Sequence, residues 1–198
     1  MSEILGVGRF PIVDVWPVVD GGKFPTKAFV GEVLDFGATA FREGHDKLAV
    51  ELILISPSGK SSRHSMSLSN PGLDTWQTKA QLTEVGNYVF QVSAWDDEYA
   101  TWHHTAEVKL AAGVDQALMM LGGQRLFEKL AAGAPKAAAT KLKAVAMLLS
   151  DPSREPGQRM LAAEEAGMSD FLTKPVRKAE LVAALRKQAQ PEPTRDAG

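Results

Sequence analysis

Four ionisable side chains crowd one short stretch, Phe41-Arg42-Glu43-Gly44-His45-Asp46, around a glycine at the end of an apolar run. Such a turn can hold a fixed charged lattice against a partner surface or sugar hydroxyls. A solvated hairpin tip is the plainer expectation for the same residues. A second acidic stretch, Trp95-Asp96-Asp97-Glu98, carries enough carboxylates for calcium or for an acid/base pair. Consecutive residues diverge in space, however, so solvated turn carboxylates are expected there. The histidines are His45, His64, His103 and His104. On a strand, neighbours such as His103 and His104 point to opposite faces and cannot share one metal. His104 falls in phase with an apolar stripe and is expected as a hydrogen-bonded core histidine. Trp16, Trp76, Trp95 and Trp102 could stack on pyranose rings, but most are expected in the core. Gly6-Val7-Gly8 lacks the strand and helix of a dinucleotide fingerprint. No P-loop, nucleophile-elbow or His-Glu-x-x-His pattern occurs, so neither catalytic residue, cofactor nor metal is expected.

Composition narrows the classes further. The 198 residues are 44% hydrophobic and 23% charged, with a net charge of −2. That is the balance of a globular protein, and it argues against broad electrostatic capture of nucleic acid or an acidic membrane. With no cysteine, disulfides, thiolate nucleophiles and cysteine-ligated metals are excluded. No apolar run approaches the ~20 residues of a membrane span. The N-terminus has neither the basic nor the long apolar region of a signal peptide. A cytoplasmic location is expected.

The elements that would position these residues divide into two grammars near residue 112. Residues 1–110 hold all four Trp, both Tyr and six of the eight Phe, but 8 Ala; residues 111–198 hold 19 Ala and neither Trp nor Tyr. Aromatic and β-branched residues fit pleated surfaces, whereas Ala, Leu, Glu and Lys favour helices. Strands are expected at 12–19, 27–30, 33–42, 48–56, 64–68, 74–80 and 87–95, with an eighth at 101–110. Turn chemistry separates them, as in Asp20-Gly21-Gly22, Ser56-Pro57-Ser58-Gly59 and Asn70-Pro71-Gly72. Tyr88, Phe90, Val92 and Ala94 form one apolar face; Trp102, His104, Ala106, Val108 and Leu110 form another. The fold class is therefore mixed: an immunoglobulin-like antiparallel β-sandwich over 8–112, a helical bundle over 113–190 and a disordered tail over 191–198. In the bundle, Ala138, Leu142, Val145 and Leu149 make one helical stripe. Residues 114–130 are apolar on two sides, Leu118 and Leu121 on one and Met120 and Phe127 on another. A second helix or a second subunit must cover what one neighbour cannot. A bundle so poor in aromatics has a thin core, which leaves this half short of full stability alone.

Three stretches in register are more specific. They are Arg9-Phe10-Pro11-Ile12-Val13-Asp14-Val15 continuing through Pro17-Val18-Val19-Asp20-Gly21-Gly22-Lys23-Phe24-Pro25-Thr26-Lys27; Phe41-Arg42-Glu43-Gly44-His45-Asp46; and Glu84-Val85-Gly86-Asn87-Tyr88 with Ala94-Trp95-Asp96-Asp97 and Ala100-Thr101-Trp102-His103-His104. Together, over about residues 8–150, they resemble the N-terminal region of the α-1,4-glucan:maltose-1-phosphate maltosyltransferase family, of the GlgE type. The resemblance implies a β-sandwich N domain with a helical S insertion, both contributing to a homodimer. It also implies a separate amylase-like (β/α) barrel that transfers maltosyl units to an α-1,4-glucan with retention of configuration. A barrel needs roughly 200 residues or more, and 86 helix-forming residues follow Ala112. No catalytic residue is carried over. Residues 166–176 also resemble the closing segment of two-component receiver domains, without the acidic pocket upstream; a divergent helix pair or a junction between unrelated pieces accounts for them better.

The leading expectation is thus a non-catalytic portion of a maltosyltransferase, a homodimer or a partner of the catalytic domain. Interface or structural candidates are Arg42, Glu43, His45, Asp46, Trp95, Trp102, His104, Leu118, Met120 and Phe127. The alternative is a free-standing carbohydrate-binding module for α-glucan with tryptophans as its platform; a signalling adaptor built on residues 166–176 is a third.

Overall fold

A computed structural model describes residues 10–166. Seven strands come first: β1 (Ile12–Trp16), β2 (Val33–Ala40), β3 (Leu48–Ile55), β4 (Ser61–Ser65), β5 (Ser67–Asn70), β6 (Thr75–Gln81) and β7 (Val89–Asp96). Four helices follow: α1 (Glu98–Ala111), α2 (Gln116–Ala132), α3 (Lys136–Ser150) and α4 (Pro156–Glu165). The chain separates into two compact units between Trp95 and Asp96.

The β unit has one sheet in the order β1-β2-β6-β5 and a second in the order β4-β3-β7. This is an immunoglobulin-type arrangement, in which the first, second and later strands share one sheet and the third joins the other. Period-two alternation builds the core between them. Phe36, Ala38 and Ala40 of β2 meet Val50, Leu52 and Leu54 of β3 and Val92 of β7, with Tyr88, Phe90 and Ala94 packed around them. The Phe36 and Phe90 rings meet edge to face, 5.2 Å between centroids. The other face of β3 is also buried: Ile53 and Ile55 pack with Val89, and Glu51 pairs with Arg63 of β4. A strand buried on both faces reads as a near-continuous apolar run, and Leu-Ala-Val-Glu-Leu-Ile-Leu-Ile is broken by Glu51 alone.

In the helical unit Met120, Phe127, Leu142, Val145, Leu149, Met160 and Ala163 form the core. The stripe on α3 and the buried side of α2 are as the spacing predicts. What differs is the segment 101–110, which is not a strand but the body of α1. Asp97 caps it, its Oδ1 accepting from the Ala100 N–H at 2.8 Å. The side chain offers the orphan amides of the first turn an acceptor and so fixes a helix start that period-two alternation masks. The change from strand to helix therefore falls at residues 96–98 rather than near 112. It also brings Tyr99 and Trp102 into a core expected to be poor in aromatics, each 6.0 Å from the Phe127 ring.

Two further differences concern the β half. Residues 27–30 form an exposed loop rather than a strand, and 64–68 is divided at Met66 between β4 and β5. The single stretch serves both sheets, with Met66 buried where the chain crosses over. The receiver-like residues 167–176, the helix expected at 178–189 and the tail at 191–198 lie outside the described residues.

Candidate functional site

The charged turn is built around Arg42. Its guanidinium pairs with Asp46 at 2.9 Å, its Nε donates to the Glu43 carbonyl oxygen at 3.2 Å, and its Cζ sits 5.8 Å from the centre of the Phe10 ring. Arg42 is folded back as the strut of the turn, while Glu43, His45 and Asp46 remain exposed. The turn thus presents an acidic side chain, an imidazole and a half-neutralised carboxylate to solvent.

The second acidic stretch is absorbed by the start of α1. Asp97 caps the helix, and Glu98 binds Lys129 of α2 through both carboxylate oxygens at 2.7 and 2.8 Å. Among the described residues no three His, Asp or Glu side chains gather as a metal ion would need. No described helix is long and apolar enough to cross a membrane.

Once 101–110 is a helix, the histidines change roles. His104 is exposed, not buried in the core, because the 100° step of a helix turns it away from Ala106. His103 does the structural work instead. It stacks on Tyr99 with centroids 5.4 Å apart, Nε2 lies 2.8 Å from Glu164 of α4, and Nδ1 lies 3.4 Å from Glu107. Sequence reading missed this role, although a Glu four residues after His103 is the spacing of a helical pair.

The tryptophans serve packing. Trp76 lies in the β core and donates its indole N–H to the Ala40 carbonyl at 3.0 Å. Trp102 donates to the Met119 carbonyl at 2.9 Å and covers Gly122 and Gly123 of α2. Trp16 lies across Gly37 of the neighbouring strand, where a methyl group would overlap its ring. Trp95 is half-buried on the face of β7 opposite to Ala94. Three of the four indoles are thereby committed to neighbours within the fold.

Among the described residues, apolar side chains on α2 and around a cleft of the β unit stand open to solvent. On α2, Met120 and Phe127 are buried, while Leu118 and Leu121 on the other side are 57% and 40% exposed. In the β unit a cleft of about 570 Å³ opens between the loop 17–30, the turn 84–87 and a floor of Leu34, Phe36, Leu54, Leu82 and Phe90. Glu84 closes one wall. Its carboxylate accepts from the N–H and the hydroxyl of Ser58, both at 3.0 Å, and these bonds, led by the Ser58 hydroxyl, hold its pKa below the ordinary 4.5. The cleft joins residues from three distant stretches, and sequence periodicity carries no signal for it.

Comparison with known proteins fixes the relationship. The family model described as alpha-1,4-glucan:maltose-1-phosphate maltosyltransferase, domain N/S, matches residues 8–190. The chain is 39% identical to alpha-1,4-glucan:maltose-1-phosphate maltosyltransferase 2 of Streptomyces coelicolor, over 82% of this chain and 25% of that protein. Maltosyltransferase 1 of the same organism is 39% identical over 79% of this chain and 24% of its own length. The Mycobacterium tuberculosis enzyme is 33% identical over 73% and 24% respectively. The chain thus spans about a quarter of the length of the curated relatives that it matches. A β-sandwich joined to a helical unit, matched from residue 8 to residue 190, makes this chain a member of the domain N/S family of the alpha-1,4-glucan:maltose-1-phosphate maltosyltransferases.

Proposed function

We propose that the chain is a non-catalytic, cytoplasmic accessory portion of α-1,4-glucan-extending maltosyltransferase machinery, which self-associates through its helical unit and supports the separate part that carries out transfer. The observation behind this reading is the match of one N/S domain across 8–190, against relatives of which the matched stretch is about a quarter. The helical unit supplies a surface for self-association: Leu118 and Leu121 lie side by side on α2, with their large apolar side chains in solvent. Apolar side chains placed this way gain about 25 cal/mol for each Å² removed from water, which favours a covering partner. The turn at Arg42–Asp46 offers a pre-shaped polar contact for a neighbouring domain, since its central arginine is already ordered.

Light scattering of the purified chain at tens of micromolar tests the association. A dimer is expected, and Leu118→Glu with Leu121→Glu should return it to a monomer without loss of helical circular dichroism. A strict monomer for the unaltered chain overturns self-association. Tryptophan fluorescence titrated with maltoheptaose separates this reading from a sugar-binding module: no saturable change is expected.

A further inference from the structure

We propose that the cleft of the β unit is a docking site for an apolar polypeptide segment belonging to the three quarters of a full-length maltosyltransferase that this chain does not match. The proposal rests on the accessory reading above and names the contact through which support would act.

The first argument is how the cleft wall is held. Phe24, Phe29 and Val85 are 60%, 83% and 87% exposed, and Val18 and Val30 stand in solvent beside them. A loop with such side chains would ordinarily fold them inward. Here its backbone is pinned at both ends. The Thr26 hydroxyl donates to the Pro17 carbonyl at 3.2 Å, and Val19 pairs with Phe24 as an isolated bridge. At the far end the Gly31 N–H donates to the Leu82 carbonyl at 2.6 Å, the Phe29 N–H donates to the Glu32 carboxylate at 2.7 Å, and the Gln81 amide donates to the Gly31 carbonyl at 3.0 Å. The backbone that carries the two aromatic side chains is therefore held before anything binds, which lowers the ordering cost of binding.

The second argument selects the chemistry of the occupant. A sugar in a cleft needs hydrogen-bonding groups free to meet its hydroxyls. Most polar side chains of this wall are already engaged, Asn87 on the exposed turn being the exception: Glu84 is held by Ser58, Thr26 by Pro17, and the Tyr88 hydroxyl accepts from the Thr83 and Glu84 N–H groups at 3.0 and 2.9 Å. Lys23 is paired with Asp20 at 3.2 Å. An occupant that brought many polar groups would leave them unpaired, at a cost of about 1–3 kcal/mol each. An uncharged segment leading with aromatic or branched aliphatic side chains fits instead. A cleft of about 570 Å³ has the size of a specific pocket. The third argument is supply: relatives carry about three quarters of their length outside the region matched here.

The chain contains no cysteine, so Val85→Cys creates a single attachment point for an environment-sensitive fluorophore at the rim. The labelled chain is titrated with overlapping synthetic peptides that tile the unmatched three quarters of the Streptomyces coelicolor maltosyltransferase 2. A saturable blue shift is expected with an apolar, aromatic-bearing peptide. Phe24→Ser with Phe29→Ser should weaken it at least tenfold at unchanged circular dichroism, and Phe29→Trp should keep it. Absence of a binding peptide, or binding indifferent to both phenylalanine substitutions, overturns the docking site while leaving the light-scattering result untouched. A saturable shift with maltoheptaose that both substitutions abolish also overturns it, by giving the cleft to sugar.

Discussion

At the scale of single residues, two glycines decide how closely elements approach. Gly37 lies under Trp16, and Gly123 lies under Trp102. Glycine inside a helix costs about 1 kcal/mol relative to alanine, so Gly123→Ala should stabilise α2 if propensity alone mattered. The methyl group would overlap the indole, whose N–H is tied to Met119, and overpacking of this kind costs about 1–3 kcal/mol. The clash should win: Gly123→Ala and Gly37→Ala are each expected to lower the urea midpoint, and a raised midpoint for Gly123→Ala would show that propensity dominates. Charge acts at the same scale. Hydrogen bonds from Ser58 and Ser56 lower the Glu84 pKa from 4.5, so its stabilising contribution is present above that value and is lost as pH falls through the lowered one. The gap in melting temperature between the unaltered chain and Glu84→Gln should therefore be widest near neutrality and close in acid. Burial acts oppositely on Glu51, raising its pKa against the pull of Arg63. Its neutral form favours folding below pH 4.5, and that gain fades as pH rises through the raised value.

At the scale of elements, legibility tracked how many signals agreed. Strand β3 combined an apolar run with turn residues on both sides, and α3 combined Ala-rich composition with a single stripe; both stand where the spacing put them. Helix α1 carried conflicting signals. Trp102, His104, Ala106, Val108 and Leu110 alternate as a strand would, and the segment is rich in Thr, His and Val, which are only moderate helix formers. The local signals of a helix are present: Asp97 as cap, Glu98 at the positive end of the helix and Lys109 in its last turn. The same four-residue stretch carries enough carboxylates for calcium or acid/base chemistry, and that density hides the one carboxylate that caps the helix. If the cap decides between strand and helix, Asp97→Ala should cost about 1 kcal/mol and reduce the mean-residue helicity of the chain. Unchanged helicity and stability would show that the Tyr99, Trp102 and Phe127 packing alone holds α1. The cleft illustrates the opposite case. Its lining comes from residues 17–36, Leu54 and 82–90, and no periodicity within one element reveals a surface shared by several.

At the scale of the whole molecule, the question is whether the chain could transfer a maltosyl unit by itself. A retaining transfer through a covalent intermediate needs two carboxyl groups about 5–5.5 Å apart, one as nucleophile and one as acid/base. Among the residues lining the cleft, Glu84 is the one acid, and it is occupied by Ser58. Elsewhere Asp97 caps α1, Glu98 binds Lys129, Glu51 pairs with Arg63, and Glu107 and Glu164 flank His103. Each of these side chains is already engaged within the fold, and moving one into catalysis would break the contact it makes. The described strands form two antiparallel sheets rather than the ring of parallel strands on which amylase-like chemistry is built. Incubated with maltose 1-phosphate and maltohexaose, the purified chain is therefore expected to release no phosphate and to lengthen no glucan. Turnover above the uncatalysed background would place two working carboxylates in this chain and overturn the accessory reading at its root.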